Sequence, residues 1–203
     1  ELGVDAALHV TPWYNKPSQE GLYRHFRAVV DSASLPVVLY NVPGRTGVDL
    51  DNQTVVRIAK ECQLVVGLKD ATGSLQRSEE LLAALSGVRD DFSVLSGDDG
   101  HILTLLAQGG HGVISVISHL CAEELCAMFD AWNAGDHETA QQISRRIRPL
   151  ASTLFFRSNP LPVKTALAMR GRLREVFRLP LCPLAEGERA ELQSRLVAAG
   201  FAS

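Results

Sequence analysis

One pattern recurs five times along this chain of 203 residues. A short apolar run ends in a polar or glycine-rich corner, and a longer stretch with apolar residues at helical spacing follows. The predicted strands are 6–10, 36–40, 64–69, 92–96 and 112–116. Between them, predicted helices start after Ser18, near Asp51 and near Ser74, the last stopping at Gly87. A fourth carries Ile102, Leu103, Leu105 and Leu106 and closes at Gly109-Gly110, and a fifth spans 122–133. Five βα units with strands apolar on both faces predict a parallel sheet buried on both sides, as a doubly wound sheet or a (β/α)8 TIM barrel. From about Asp136 only helices are predicted: 138–156 (kinked or broken at Pro149), 162–169 and 186–199.

The polar residues collect where the strands end. Tyr14, Tyr40 with Arg45, Lys69 with Thr72, Gly97-Asp98 and the Gly109-Gly110-His111-Gly112 loop beside Ile114 all lie at or near strand ends, most at the carboxyl end. Barrel enzymes keep their chemistry there, which favours a barrel over a sheet with one switch-point crevice.

Lys69 is the most demanding of these residues. A lysine closing an apolar strand must find a partner, lose its proton or reach solvent along its stem. Strict alternation puts it on one face with Gly67 and Val65, opposite Leu68 and Val66. The small Gly67 leaves room beside a nitrogen that, once desolvated, can attack a carbonyl and form a Schiff base. Tyr40 ends its own strand with the same parity, so its phenol can move the protons that imine formation requires. Arg45, in a stiffened Pro-Gly loop, is suited to gripping a carboxylate. Asp98-Asp99 read as a helix cap rather than a metal site, and His111 as structural, since its glycine loop matches no phosphate-binding pattern.

Net charge −3 and the lack of any basic run argue against nucleic acid. No apolar segment approaches the ~20 residues of a membrane span. Cys62, Cys121, Cys126 and Cys182 show no metal-ligand spacing and read as reduced thiols of a cytoplasmic protein. The chain starts at Glu1 without a methionine, a signal peptide or a lead-in, and reads as truncated.

Taken in order, Thr11-Pro12-Trp13-Tyr14-Asn15-Lys16-Pro17, Tyr40-Asn41-Val42-Pro43-Gly44-Arg45-Thr46-Gly47, Gly67-Leu68-Lys69-Asp70-Ala71-Thr72-Gly73, Leu95-Ser96-Gly97-Asp98-Asp99 and 109–116 resemble the dihydrodipicolinate synthase family. These are the 4-hydroxy-tetrahydrodipicolinate synthases, pyruvate-dependent class I aldolases of the N-acetylneuraminate lyase superfamily. Asn159-Pro160-Leu161-Pro162-Val163-Lys164 and Arg178-Leu179-Pro180-Leu181 resemble the family's carboxyl-terminal helical region, so the likeness covers essentially the whole chain.

The resemblance implies condensation of pyruvate with L-aspartate 4-semialdehyde in lysine and diaminopimelate biosynthesis. It implies no cofactor beyond the covalent Schiff base with pyruvate, and no metal. Lys69 would form the imine, Tyr40 would donate and accept protons, and Tyr14 would belong to a relay reaching across a subunit interface of a homotetramer, a dimer of dimers. Arg45 would meet the semialdehyde carboxylate, and Thr46, Gly97 and Ile114 would complete the substrate-binding set. Arg45 also separates these synthases from the sialic acid lyases, which lack the Gly-Arg-Thr-Gly. Trp13 stands where many members carry a second tyrosine near a lysine inhibitor site.

By the same resemblance the strands are numbers 4–8 of a barrel, residues 1–135 its carboxyl-terminal part and 136–203 the helical domain. The segment holding the pyruvate carboxylate would then lie outside this chain. Its activity alone is expected to be poor, and its strand edges and barrel interior exposed. Two other readings stay open: a different pyruvate-dependent aldolase or lyase, and an inactive remnant.

Overall fold

A computed structural model describes residues 3–201. Two compact units divide the chain, Glu1–Ile114 and Ser115–Ser203. Among the described residues the first holds five strands: β1 (Ala7–Val10), β2 (Val37–Asn41), β3 (Val65–Asp70), β4 (Ser93–Ser96) and β5 (Gly112–Val113). All pair in parallel in the order β1-β2-β3-β4-β5. Each strand lies beside its sequence neighbour, so among the described residues the winding does not reverse and leaves no switch-point crevice.

The connecting helices start where side chains can cap them. Ser18, Asp51 and Ser74 accept from backbone N–H groups at the starts of α1 (Gln19–Ala33), α3 (Asn52–Glu61) and α4 (Leu75–Leu85). Their apolar faces, with Leu105 of α5 (Ile102–Ala107), cover one side of the sheet. Val37, Leu39, Leu68 and Val94 are fully buried there against Leu22, Phe26, Val55, Ile58 and Leu81. Each such side chain contributes about 1.5–3 kcal/mol. The opposite face is the correction to a sheet buried on both sides. Its paired rows Leu8, Val38, Gly67, Ser93 and Val10, Tyr40, Lys69, Leu95, Gly112 are largely half-exposed, with Leu8 at 47%.

Other elements differ locally from expectation. The Pro-Gly loop is a short helix, α2 (Pro43–Thr46), with Pro43 pre-set for its first turn and Gly47, at φ 76°, donating back to the Pro43 carbonyl. β5 stops at Val113 because β4 ends at Ser96, after which only the Ile114 N–H still reaches the Ser96 carbonyl, at 2.9 Å. Val65 does not share the Lys69 face. The register with β2 shifts so that Val37 pairs Val65 while Val38 pairs Gly67. Val66 is therefore an extra residue, and Val65 joins Leu68 in the helix-covered core.

At the amino end of β3, Arg89 lies buried in the α4–β4 connection. It donates to the carbonyls of Ala59 (2.7 Å), Val65 (3.4 Å) and Gln63 (3.5 Å) and pairs with Asp91 at 2.6 Å. His111 is structural as read, its Nδ1 accepting from the Val94 N–H at 3.1 Å.

The second unit is helical. α6 (Ser118–Asn133) begins four residues before the expected start and holds a non-helical Cys121. α7 (His137–Leu154) continues through Pro149, so of the kink or break expected there the break does not occur; the carbonyl of Pro149 accepts from the hydroxyls of Ser152 and Thr153. α8 (Leu161–Met169) and α9 (Glu186–Ala198) follow. Leu125, Met128, Ile147, Leu150, Leu154, Val163 and Leu192 form the buried interior of this unit. Among the described residues no helix is long and apolar enough to cross a membrane.

Candidate active site

Tyr40 and Lys69 occupy paired positions on adjacent strands, and their side chains share the half-exposed face. The Lys69 Nζ sits 4.3 Å from the centre of the Tyr40 ring. Burial pushes the amine below its ordinary value of 10.5, against the pull of the Asp99 carboxylate. It pushes the Tyr40 phenol up, against Arg45. The two shifts oppose each other usefully: the amine moves toward its nucleophilic free base while the phenol holds its proton for donation.

Two glycines shape the surroundings, and not as strand parity predicted. A Cβ on Gly67 would lie 2.7 Å from the Ser93 carbonyl oxygen, so that glycine admits the neighbouring strand rather than a ligand. Gly97 is the one that abuts the lysine. A Cβ there would lie 3.1 Å from Lys69 Cε and 2.7 Å from Ala71 Cβ. Its N–H donates to the Asp70 carbonyl at 2.6 Å, and Ile114 is tied to the preceding Ser96, so both stand at the β3–β4–β5 corner.

Arg45 is exposed on α2, within electrostatic reach of the Tyr40 phenol. Thr46 is turned inward. Its hydroxyl accepts from Thr11 at 3.3 Å and donates to main-chain carbonyls of Val42 (3.3 Å) and Val48 (3.0 Å) as alternatives. Its own carbonyl accepts from the Tyr14 N–H at 3.3 Å, tying the Tyr14 turn to α2. Tyr14 has φ 72° and is 87% exposed, so the fold gathers Lys69, Tyr40, Arg45 and Gly97 but leaves this ring outside.

Sequence reasoning missed several charged and amide groups. Asp98 caps the turn after β4 as read, accepting from the Gly100 N–H at 2.8 Å, but Asp99 is buried and acts electrostatically on Lys69. Asn41, Asp49, Asp70 and Arg77 form a network behind the site. The available signal was polarity in the wrong place: Asn41 and Asp70 occupy paired, core-side positions at the ends of two apolar strands. Among the described residues no group of three or more His, Cys, Asp or Glu could hold a metal ion.

Residues 1–199 match the model of the dihydrodipicolinate synthetase family. The chain belongs to that family. A 4-hydroxy-tetrahydrodipicolinate synthase from Thermodesulfovibrio yellowstonii is 48% identical over 201 residues, covering 99% of this chain and 68% of that relative. The crystal structure of dihydrodipicolinate synthase from Thermotoga maritima superposes with a TM-score of 0.93 at 39% identity, over 98% of this chain and 68% of the other. A chloride-inhibited dihydrodipicolinate synthase from Acinetobacter baumannii, solved with pyruvate, gives a TM-score of 0.92 at 46% identity, over 98% and 67%. This family chain thus spans about two thirds of the length of the relatives it matches.

Proposed function

We propose that this chain carries the catalytic lysine of a 4-hydroxy-tetrahydrodipicolinate synthase, a lyase-type class I aldolase that condenses pyruvate with L-aspartate 4-semialdehyde toward diaminopimelate and lysine. One observation carries the reading: a half-buried amine, pushed toward its neutral form, packed over a phenol at the carboxyl end of a parallel strand. Family membership and relatives of that name support the substrate pair.

The chemistry follows from the groups present. The Lys69 amine adds to the ketone carbon of pyruvate, and Tyr40 supplies the proton with which the hydroxyl leaves as water. The Tyr40 phenolate left behind takes a methyl proton from the iminium to give an enamine. Its carbon attacks the aldehyde of the second substrate, and the regenerated phenol protonates the aldehyde oxygen as the new bond forms. Arg45 pairs with that substrate's carboxylate. Gly97 leaves the imine space to form, and Ile114 lines it. Thr46 acts by holding Tyr14 and α2 together, and Tyr14 serves a proton relay completed by a second subunit. Its exposure, beside that of Trp13 at 66%, suits a surface covered by a second subunit, and the tetramer, a dimer of dimers, is carried over from the family resemblance. The five strands are strands 4–8 of a TIM barrel, with 1–135 its carboxyl-terminal part and 136–203 a helical domain. Four free thiols support a reducing cytoplasmic setting.

Incubation with pyruvate and borohydride, then peptide mapping, tests this reading on the protein at its full encoded length. The adduct is expected on Lys69, and its absence there would overturn the assignment. Arg45→Ala should raise KM for the semialdehyde roughly 10–100-fold, the size of a lost charge-assisted hydrogen bond; an unchanged KM would point to a different aldehyde partner.

A further inference from the structure

Arg77, early in α4, is 14% exposed and holds two segments at once. Its Nε lies 3.3 Å from Oδ2 of Asp70, the residue after Lys69, whose side chain is 4% exposed. The alignment falls short of a directed hydrogen bond, so this contact is an ion pair. The other Asp70 oxygen accepts from the Thr72 N–H at 3.0 Å. On its far side Arg77 places Nη1 3.3 Å from Asp49 Oδ2 and donates from Nη2 to the Leu50 carbonyl.

That second segment is held from two more directions. The Asn41 amide donates to Asp49 Oδ1 at 2.7 Å and its oxygen accepts from the Leu50 N–H at 3.1 Å. Gln19 donates to the Asp49 carbonyl at 2.8 Å and accepts from the Asp51 N–H at 3.2 Å. The segment leaves α2, which carries Arg45, within two residues. Arg77 therefore spans from the strand end of the nucleophile to the segment that supports α2 and its Arg45.

Stability alone is a weak reason for such an arrangement. Desolvation offsets most of the attraction in a buried pair, and burial raises the Asp70 carboxyl even with Arg77 beside it. A planar guanidinium with donors on both edges instead fixes a distance. We propose that Arg77 is a positioning residue, holding α2 and its Arg45 at a set separation from Lys69 so that the second substrate's carboxylate and the pyruvate imine meet in register. The proposal rests on the synthase reading above.

Asp49→Asn is the cleaner variant, because its side chain is 52% exposed and its loss leaves the Asp70 ion pair intact. Borohydride trapping of pyruvate at Lys69 should stay within about twofold of wild type, while KM for the semialdehyde rises about tenfold with little change in kcat. In an Arg45→Ala background the same change should add almost nothing, since the penalty acts through the guanidinium already removed. Arg77→Met should raise that KM at least as much, and lower kcat as well. An unchanged KM in Asp49→Asn, or an equal penalty with Arg45 absent, would overturn the clamp while leaving trapping intact. A wild-type protein that traps no pyruvate at Lys69 would overturn the synthase reading, and the clamp with it.

Discussion

Arg77, largely withdrawn from solvent, and Arg89, buried, sit at opposite ends of β3, yet they do different work. Arg89 gives most of its hydrogen bonds to main-chain carbonyls of α3 (Ala59), the α3–β3 connection (Gln63) and the start of β3 (Val65). Those acceptors cannot move unless the scaffold opens, so this guanidinium is a staple. Arg77 instead meets the carboxylates of Asp70 and Asp49 on two segments flanking the reacting groups. The role of each arginine here is read from its partners rather than from its degree of burial. The amino end of the sheet is built to hold, and the carboxyl end to align.

The largest effect should come from the carboxyl end. Lys69→Met should lower turnover on the order of 10⁴-fold or more while the denaturation midpoint holds or rises, because a poorly solvated ammonium is exchanged for an apolar chain. A large fall in that midpoint would mean that Lys69 holds the scaffold, and the contrast between the two ends would fail. Arg89→Met should do the reverse. Orphaning its main-chain acceptors should cost about 3 kcal/mol in denaturant unfolding, with turnover per folded molecule within about twofold of wild type.

Gly97→Ala should cut turnover by about thirtyfold, since the new methyl must displace Ala71 or the lysine stem. Normal activity there would show that the corner yields more readily than its contacts imply. The smallest effect is a shift in pH dependence. Capture of pyruvate should increase with pH through a midpoint below 10.5, because the free amine is the attacking form. Asp99→Asn removes the charge that favours the ammonium, so the midpoint should move lower still. A midpoint that rises would reverse the sign assigned to Asp99.

The same contrast explains what the sequence made legible. Strand positions and helix starts could be read because hydrophobic period and capping residues are local signals, as at Ser18, Asp51 and Ser74. The pairing of Tyr40 with Lys69 was legible from parity, since no irregularity lies between Gly67 and Lys69. Parity failed one step further back, at Val65, where the register with β2 shifts. The Arg77 network was hidden because Asp49 and Arg77 lie 28 residues apart and meet only in three dimensions. Arg89 was hidden for a similar reason: its acceptors are carbonyls, which every residue possesses.

The extra residue at Val66 has a consequence for how such a chain can change length. Pairing of Gly67 with Val38 sets the facing of everything downstream, whatever the count of residues before it. Deleting Val66 would join Val65 directly to Gly67 and restore plain alternation, with Val65 still toward the helices and Lys69 still toward Tyr40. The bulge thus works as a slack joint, letting insertions and deletions accumulate upstream without turning the reactive amine away from its phenol.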